Sequence, residues 1–364
     1  VNILLITYQG GLAGSTNSIS YLATGLADRG HDVYVAAPAS SLLRDLIAGS
    51  AATFLPMEIR GRFDFRNMRA IRDVVRAYSI QIINAQSSYD RFTTVLARWL
   101  YRLPVKIVHT RRQISGSIGG WLQNVIYVKG TDKIVAVGTG VKDTLVRGGI
   151  PSSHIEVIYN GTPAEKYAHA DGGLTESLKK KFELRVGEPV IGCVSRRKLQ
   201  HQLVEAVCNL PFAVTLVFVG MQREEPLVRM ISKARARHRL FFEGDVHGKD
   251  VLSYYPLFNV NVLCSVTEGL SQSLLEAMYL KVPVIATRAS GNTDLIRPGE
   301  NGLLYPDGDI GALTHALTTL LENPALARRY AQEAFKTASV DFSIERTVDG
   351  YEKLFESLLS SRPQ

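Results

Sequence analysis

The chain alternates short apolar runs with longer segments in which apolar residues recur every three or four positions. "NILLIT", residues 2–7, is apolar almost throughout, as a strand covered on both faces of a parallel sheet must be. A glycine-bearing turn follows, Gln9 to Ser15, then a helical pattern from Asn17 to Arg29 closed by Gly30, then the run "HDVYVAA". The alternation recurs. "IQIINAQ", "VKIVHT" and "KIVAVG" read as strands, with "FTTVLARWLY", "WLQNVIYVKG" and "VKDTLVRGG" as helices among them. A second series begins after "HIEVIYNGT". Its strands are "PVIGCVS", "VTLVFVG", "LFFEG", "VNVLCS" and "PVIAT". Its helices are "LQHQLVEAVCNL", "EPLVRMISKARAR", "GKDVLSYYPLF", "SQSLLEAMYLK" and "DIGALTHALTTLLEN", with terminal helices over 324–359 broken at "VDFS".

This order predicts an α/β chain of two Rossmann-like, doubly wound domains in tandem. The expected boundaries are 1–155 and 156–342, with the helix in 343–364 returning to the first domain. Ligands of such sheets bind outside the carboxyl ends of the strands. The expected site is therefore a cleft lined by those ends.

Composition adds a partner class. Of 364 residues 46% are hydrophobic and 21% charged, an ordinary globular profile. The net charge of +8 is unevenly placed: residues 1–155 carry 18 Lys and Arg against 9 Asp and Glu. The excess peaks in "RGRFDFRNMRAIRDVVRAY", Arg60 to Tyr78. Such a field suits an anionic partner, whether nucleic acid, an anionic membrane surface or a phosphorylated or lipid-linked acceptor, and equally describes a solvated helix face. No basic leader precedes the first strand and no apolar run is long enough to span a bilayer, so a cytoplasmic protein is expected, touching a membrane at most from its surface. Cys193, Cys208 and Cys264 lie in apolar segments without metal-type spacing and read as free buried thiols.

Several residues fall where chemistry is expected. Gly10, Gly11 and Gly14 lie between the first strand and first helix, where glycine lets backbone approach a phosphate; the spacing is not that of a dinucleotide fingerprint. Gly138-Thr139-Gly140 lies at a similar joint and lacks a third glycine. Arg196, Arg197 and Lys198 directly follow the first strand of the second series, where cations can balance a diphosphate. His109 ends "VKIVHT" and is expected at the edge of the cleft, oriented toward an acceptor hydroxyl or donor sugar. In "TEGLSQSLLEAM", Thr267 to Met278, Ser271 is a good N-cap. Glu268 then lies in the loop before the helix. Gln272 and Glu276 share one helix face, with Ser273 beside them, while Leu274, Leu275 and Met278 turn to the core. Two carboxylates near a helix N-terminus can share a polyol bearing an anion. An acid near a helix start also merely offsets the dipole, and spacing does not separate the two readings.

The wider context does. Ser265 to Leu313, with "EGLSQSLLEAM" and "GENGLLYPDGD", resembles the donor-site signature of the family 4 retaining glycosyltransferases of the GT-B fold. "LATGLADRGHDV", "DKIVAVGTGVKDTL", "IEVIYNGT" and "FSIERTVDGYEKLF" resemble further segments in order, so the resemblance spans the chain. "HTRRQISGSIGGWLQNVIY" resembles a subgroup acting on cell-envelope glycans such as lipopolysaccharide. The resemblance implies a nucleotide diphosphate sugar donor, UDP-linked first among them, no metal and no cofactor. It implies that Glu276 binds the ribose diol and that Glu268 contacts the donor sugar. Backbone amides over Leu270, Ser271, Gln272, Ser273 and Leu274 would hold sugar and phosphate. Arg196 matches the diphosphate arginine, His109 the acceptor-side histidine and Gly14 the second of paired glycines, the first being Ala13. The usual lysine of a "KG" pair is missing: the region reads "RKLQHQ", which leaves Lys198 as its substitute and Gln200 near its place. Asp294 stands for a common glutamate after the turn at Ser290-Gly291. Asp307-Gly308-Asp309 reads as a turn and helix cap rather than a metal site. Nucleic acid is not expected as a partner. Two alternatives keep the fold: a hydrolysing nucleotide-sugar epimerase, and a binding module without turnover.

Overall fold

The computed structural model describes the chain except Leu12, Ile59, Arg62, residues 113–120, His247, Ser290 and residues 361–364; the side chains of 121–123 and 169 also lie outside the description. The described residues form two compact units, Val1–Pro163 with Ser343–Gln364, and Ala164–Phe342. Each is built on one parallel sheet.

The first sheet has seven strands: β1 (Asn2–Ile6), β2 (Asp32–Ala37), β3 (Thr53–Pro56), β4 (Ile82–Ala85), β5 (Lys106–Arg111), β6 (Lys133–Ala136) and β7 (Ile155–Val157). Their order is β3-β2-β1-β4-β5-β6-β7. The second has six: β8 (Val190–Val194), β9 (Thr215–Val219), β10 (Arg239–Glu243), β11 (Val260–Leu263), β12 (Val284–Thr287) and β13 (Leu303–Tyr305), in the order β10-β9-β8-β11-β12-β13. The order reverses direction between β1 and β4 in one unit and between β8 and β11 in the other. At such a reversal the chain leaves neighbouring strands toward opposite faces, and the loops diverge around a crevice.

The apolar runs are central strands. Ile3 to Ile6, Ile191, Leu216 to Phe218 and Val260 are fully buried, and helices cover both faces. β3, β7 and β13 escape a reading by runs because they are short edge strands only partly buried, so no unbroken apolar run marks them. The pairing of β7 with β6, Ile134 with Ile155, moves the first boundary from the expected 155 to after Pro163. "GKDVLSYYPLF" is not one helix but two short 3₁₀ turns, Asp250–Ser253 and Tyr255–Leu257. Pro256 lacks the N–H that a continuous helix would need there. The first helix starts at Gly14 rather than Asn17. Of the cysteines, Cys193 and Cys264 are buried, and Cys208 is only partly so.

The last helix, Ile344–Ser360, belongs to the first unit. Val348, Tyr351, Leu354, Phe355 and Leu358 pack with Ile19, Leu22 and Leu26 of the helix Gly14–Asp28. Arg29 reaches Asp349 at 2.6 Å and Glu352 at 3.0 Å from the solvent side. Buried apolar side chains of this size are worth about 1.5–3 kcal/mol each, so the apolar face holds the helix and the water-screened pairs fix its angle. The return crossing needs Gly161, because a Cβ there would lie 1.9 Å from the Ser343 carbonyl oxygen. Thr347 Oγ1 completes the joint, accepting from Gly161 N and donating to Tyr159 O, both at 2.7 Å. Among the described residues no helix is long and apolar enough to cross a membrane.

Candidate functional site

In the second unit the reversal brings the loop after β8 beside the loop after β11. Lys198, from the first, forms an ion pair with Glu268, from the second. The two side chains are 29% and 15% exposed, so the pair is shielded yet open to a ligand. The loop carrying Lys198 is fastened by Gln200, which is buried. Its amide nitrogen donates to Ser195 Oγ (2.9 Å) and the Arg196 carbonyl (2.8 Å), and its oxygen accepts from Lys198 N (2.6 Å). Gln200 thus shapes the loop, and Lys198 is the ammonium the loop presents. Arg196 is exposed and forms no ion pair among the described residues. Arg197 is already engaged, with Nε 2.6 Å from Glu224.

The helix Gln272–Tyr279 begins where its cap predicts. Ser271 Oγ accepts from Leu274 N at 3.3 Å, satisfying one of the N–H groups that a first turn leaves without helical partners. Leu274, Leu275 and Met278 are buried; Leu270, Gln272 and Ser273 are half-buried. The Glu268 loop closes against Gly291, which has φ +85°; a Cβ there would lie 2.5 Å from the Glu268 carbonyl oxygen, so only glycine fits. Asp294 follows in the short helix Asn292–Leu295, whereas Ser290 lies outside the described residues.

Glu276 is 8% exposed, yet both of its oxygens are satisfied. Lys166 Nζ lies 2.7 Å from Oε1, and Tyr255 donates its hydroxyl to Oε2 at 2.8 Å. Pattern reading missed both partners. Lys166 lies in a 3₁₀ segment and Tyr255 in a turn, neither of which carries a period. Each acid of the pair thus holds a lysine of its own. Asp307 accepts from Gln202 (2.8 Å), and Asp309 caps the helix Ile310–Glu322 through Ala312 N (2.8 Å), so both carboxylates of that triplet serve the fold.

In the first unit the reversal joins the loop after β1 to the helix after β4. Tyr8 N donates to Asp90 Oδ1 at 2.8 Å, and the Tyr8 and Tyr89 rings lie 5.0 Å apart. Asp90 is wholly buried in the first turn of the helix Ser88–Tyr101. Burial pushes its carboxyl up to about 7, against the opposing hydrogen bonds from Ser87 and Tyr8. Gly14 is exposed as the first residue of its helix, with Ala13 as a cap that offers no side-chain bond.

His109 departs from expectation: it is fully buried rather than at an open edge. β5 continues to Arg111, which pairs with Ala136, so His109 lies two residues inside the strand end, and the Tyr127 ring lies 5.8 Å from it. Desolvation, then the charges of Arg91 and Arg111, hold its pKa well below the ordinary value. Nδ1 lies 3.1 Å from the Ala85 carbonyl, which makes it the protonated nitrogen and leaves Nε2 an acceptor without a partner among the described residues. Among the described residues Asp90 Oδ2 and Gln86 Oε1 are also buried without partners. Much of the segment resembling an envelope-glycan subgroup, 113–120, lies outside the described residues.

Chemically, the second unit offers carboxylates for hydroxyls and cations for an anion, while the first holds the buried acceptors of Asp90 and His109 in the field of Arg91, Arg111 and Arg112. Two family models together match residues of both units. Residues 12–166 match the model of Glycosyltransferase Family 4, and residues 175–337 that of Glycosyl transferases group 1. The chain is 26% identical to a putative glycosyltransferase, EpsD, of Bacillus subtilis, over 82% of this chain and 83% of that one. It is 26% identical to the lipopolysaccharide core biosynthesis glycosyltransferase LpsE of Rhizobium meliloti, over 66% and 68%. It spans 60% of the length of another relative, the uncharacterized glycosyltransferase MJ1069 of Methanocaldococcus jannaschii, at 24% identity over 64% of this chain. In structure it is similar to Anabaena Alr3699/HepE in complex with UDP and glucose, with a TM-score of 0.78, 21% identity, and 99% and 100% of the two chains covered. Matched over both units by the two models in succession, the chain belongs to the family 4 glycosyltransferases of the GT-B fold.

Proposed function

We propose that this glycosyltransferase moves a sugar from a nucleotide diphosphate sugar, UDP-linked in the first instance, to a hydroxyl of a cell-envelope glycan or lipid-linked precursor, with retention at the anomeric carbon. The observation that carries the reading is the reversal point of the second unit, where Glu268 and Glu276 each hold a lysine and Arg196 lies exposed on the adjoining loop. A donor can draw Lys198 away from Glu268 while Lys166 stays on Glu276, whose carboxylate keeps acceptor positions open. Its ribose diol hydrogen-bonds Glu276, its sugar meets Glu268, and its diphosphate takes Arg196 and Lys198. Backbone amides over Leu270 to Leu274 and the helix dipole add to the positive field. When the bond from the anomeric carbon to the diphosphate oxygen breaks, negative charge collects on the leaving group, and these fixed cations stabilise it. The reading needs no metal for that charge and no cofactor.

Support for the acceptor comes from the first unit. His109, which the family resemblance assigns to the acceptor side, keeps Nε2 as a buried acceptor without a partner among the described residues. The helix Phe65–Ala77 turns Met68, Ile71 and Val75 inward and leaves Arg66, Arg69 and Arg76 exposed. Phe63 and Phe65, 70% and 68% exposed, stand at its start. Cations beside exposed aromatic rings suit the headgroup layer of an anionic membrane, here its cytoplasmic face.

The test is donor binding. UDP-, GDP- and ADP-sugars are screened by thermal shift, and the best is titrated against wild type and Glu276→Ala. A loss of binding of at least thirtyfold on the order expected for charge-assisted bonds, with the melting curve preserved, is the expected result. Unchanged affinity would sink the site. Nucleotide release without acceptor would turn the reading to the epimerase, and the product's anomeric configuration by NMR tests retention.

A further inference from the structure

Glu276 is gripped from two sides. Lys166 occupies Oε1 and Tyr255 occupies Oε2. Tyr255 is fully buried and its hydroxyl also lies 3.2 Å from the Ser273 carbonyl, within the same helix. Burial, then the charge of Glu276, holds the phenol well above its usual pKa, so it stays a donor. Lys166 is located as well: the Tyr167 ring stacks on Tyr279 at 4.0 Å and 16°, one helical turn beyond Glu276. An ionised carboxylate has about four acceptor positions. The two partners use one on each oxygen and leave one on each. A vicinal diol offers two O–H donors to such a pair.

We propose that Tyr255 and Lys166 are positioning residues that lock the Glu276 carboxylate in one orientation, so that the remaining lone pair on each oxygen meets the 2′- and 3′-hydroxyls of a nucleotide's ribose. The inference rests on Glu276 as the ribose ligand. A carboxylate held in its binding orientation loses no rotamer freedom when the diol arrives, so preorganisation appears as discrimination between ribose and deoxyribose.

The experiment titrates UDP and 2′-deoxy-UDP, and GDP and 2′-deoxy-GDP, into wild type, Tyr255→Phe, Lys166→Met and Glu276→Gln. Wild type prefers the ribose form of its nucleotide by about tenfold, the scale of one hydrogen bond to a charged group. Tyr255→Phe and Lys166→Met each reduce that ratio to about two- or threefold, while affinity for the deoxy form moves by less than about twofold. A merely structural role would weaken both forms alike and keep the wild-type ratio, which overturns the proposal. If Tyr255→Phe does not fold, Lys166→Met decides. A wild type without ribose preference defeats the ribose reading itself. A preference lost in Glu276→Gln but kept in the other two variants defeats only the positioning role.

Discussion

The carboxyl ends of the two sheets are built on the same topology and charged in opposite ways. In the second unit every acid of the candidate site carries a cation: Glu268 with Lys198, Glu276 with Lys166. In the first, Asp90 and His109 are buried, and among the described residues Asp90 Oδ2 and His109 Nε2 have no hydrogen-bond partner and form no ion pair. A site of internal ion pairs keeps its carboxylates ionised and oriented for hydroxyls, while its cations are at hand for an anion. The buried acceptors of the first unit lie in the field of Arg91, Arg111 and Arg112, so desolvation and that field, not ion pairing, set their protonation. The two ends thus differ in how charge is compensated: by paired side chains in the second unit and by burial in the first.

The sharpest way to break that comparison lies in the second unit. Arg196→Ala should lower kcat/KM about a hundredfold, as expected when one group that stabilises developing charge is removed. Arg197→Ala should change it by less than about twofold, since Arg197 is committed to Glu224. Steady-state kinetics on both variants checks this, and equal effects would erase the assignment of Arg196.

The first unit offers a pH signature. A carboxyl whose pKa is raised on folding holds its proton more tightly folded than unfolded, so it costs stability as pH rises from the ordinary carboxylate range toward 7. His109 works the other way. Its depressed pKa gives a contribution that is complete above about 6.5 and is lost as pH falls below that. Asp90→Asn should therefore flatten the loss of stability between pH 5 and 8 by about 2–3 kcal/mol, or roughly 5–10 °C in the melting of this unit. Melts at the two pH values are the measurement. Parallel wild-type and variant slopes would show that Asp90 is not the buried acid described.

The smallest effect concerns the basic face of the first unit, which has no counterpart in the even charge of the second. Arg69→Ala and Arg76→Ala should each weaken cosedimentation with anionic vesicles by about fivefold, near 1 kcal/mol per cation. Arg72→Ala should do less, because Arg72 is paired with Asp73 at 2.6 Å and lies over the Tyr101 ring. Unaltered cosedimentation would leave a solvated helix.

Legibility followed periodicity. Central strands such as β1, β8 and β11 could be read because burial on both faces forces an unbroken apolar run. Short edge strands, only partly buried, carry no such run. Ser271 was legible as a cap because a hydroxyl before an apolar-periodic run has one common use. Gln200 illustrates the opposite case: its place beside "RRK" suggests a ligand position, yet its amide bridges the ends of its own loop. His109 was recognisable as a residue of interest, but its depth depended on how far β5 continued.

The sequence by itself determined two parallel α/β units, the acids at 268 and 276, the cations at 196–198 and the basic stretch at 60–78, because each is written in local order: a run, a spacing, a count. Only the tertiary structure decided that Lys166, 110 positions before Glu276 in the chain, and Tyr255, 21 positions before it, hold the same carboxylate. It alone paired Lys198 with Glu268 and enclosed Asp90 and His109 away from water. The physical reason is that charge compensation and desolvation depend on distance in space, which a chain sets only once its strands have found their order.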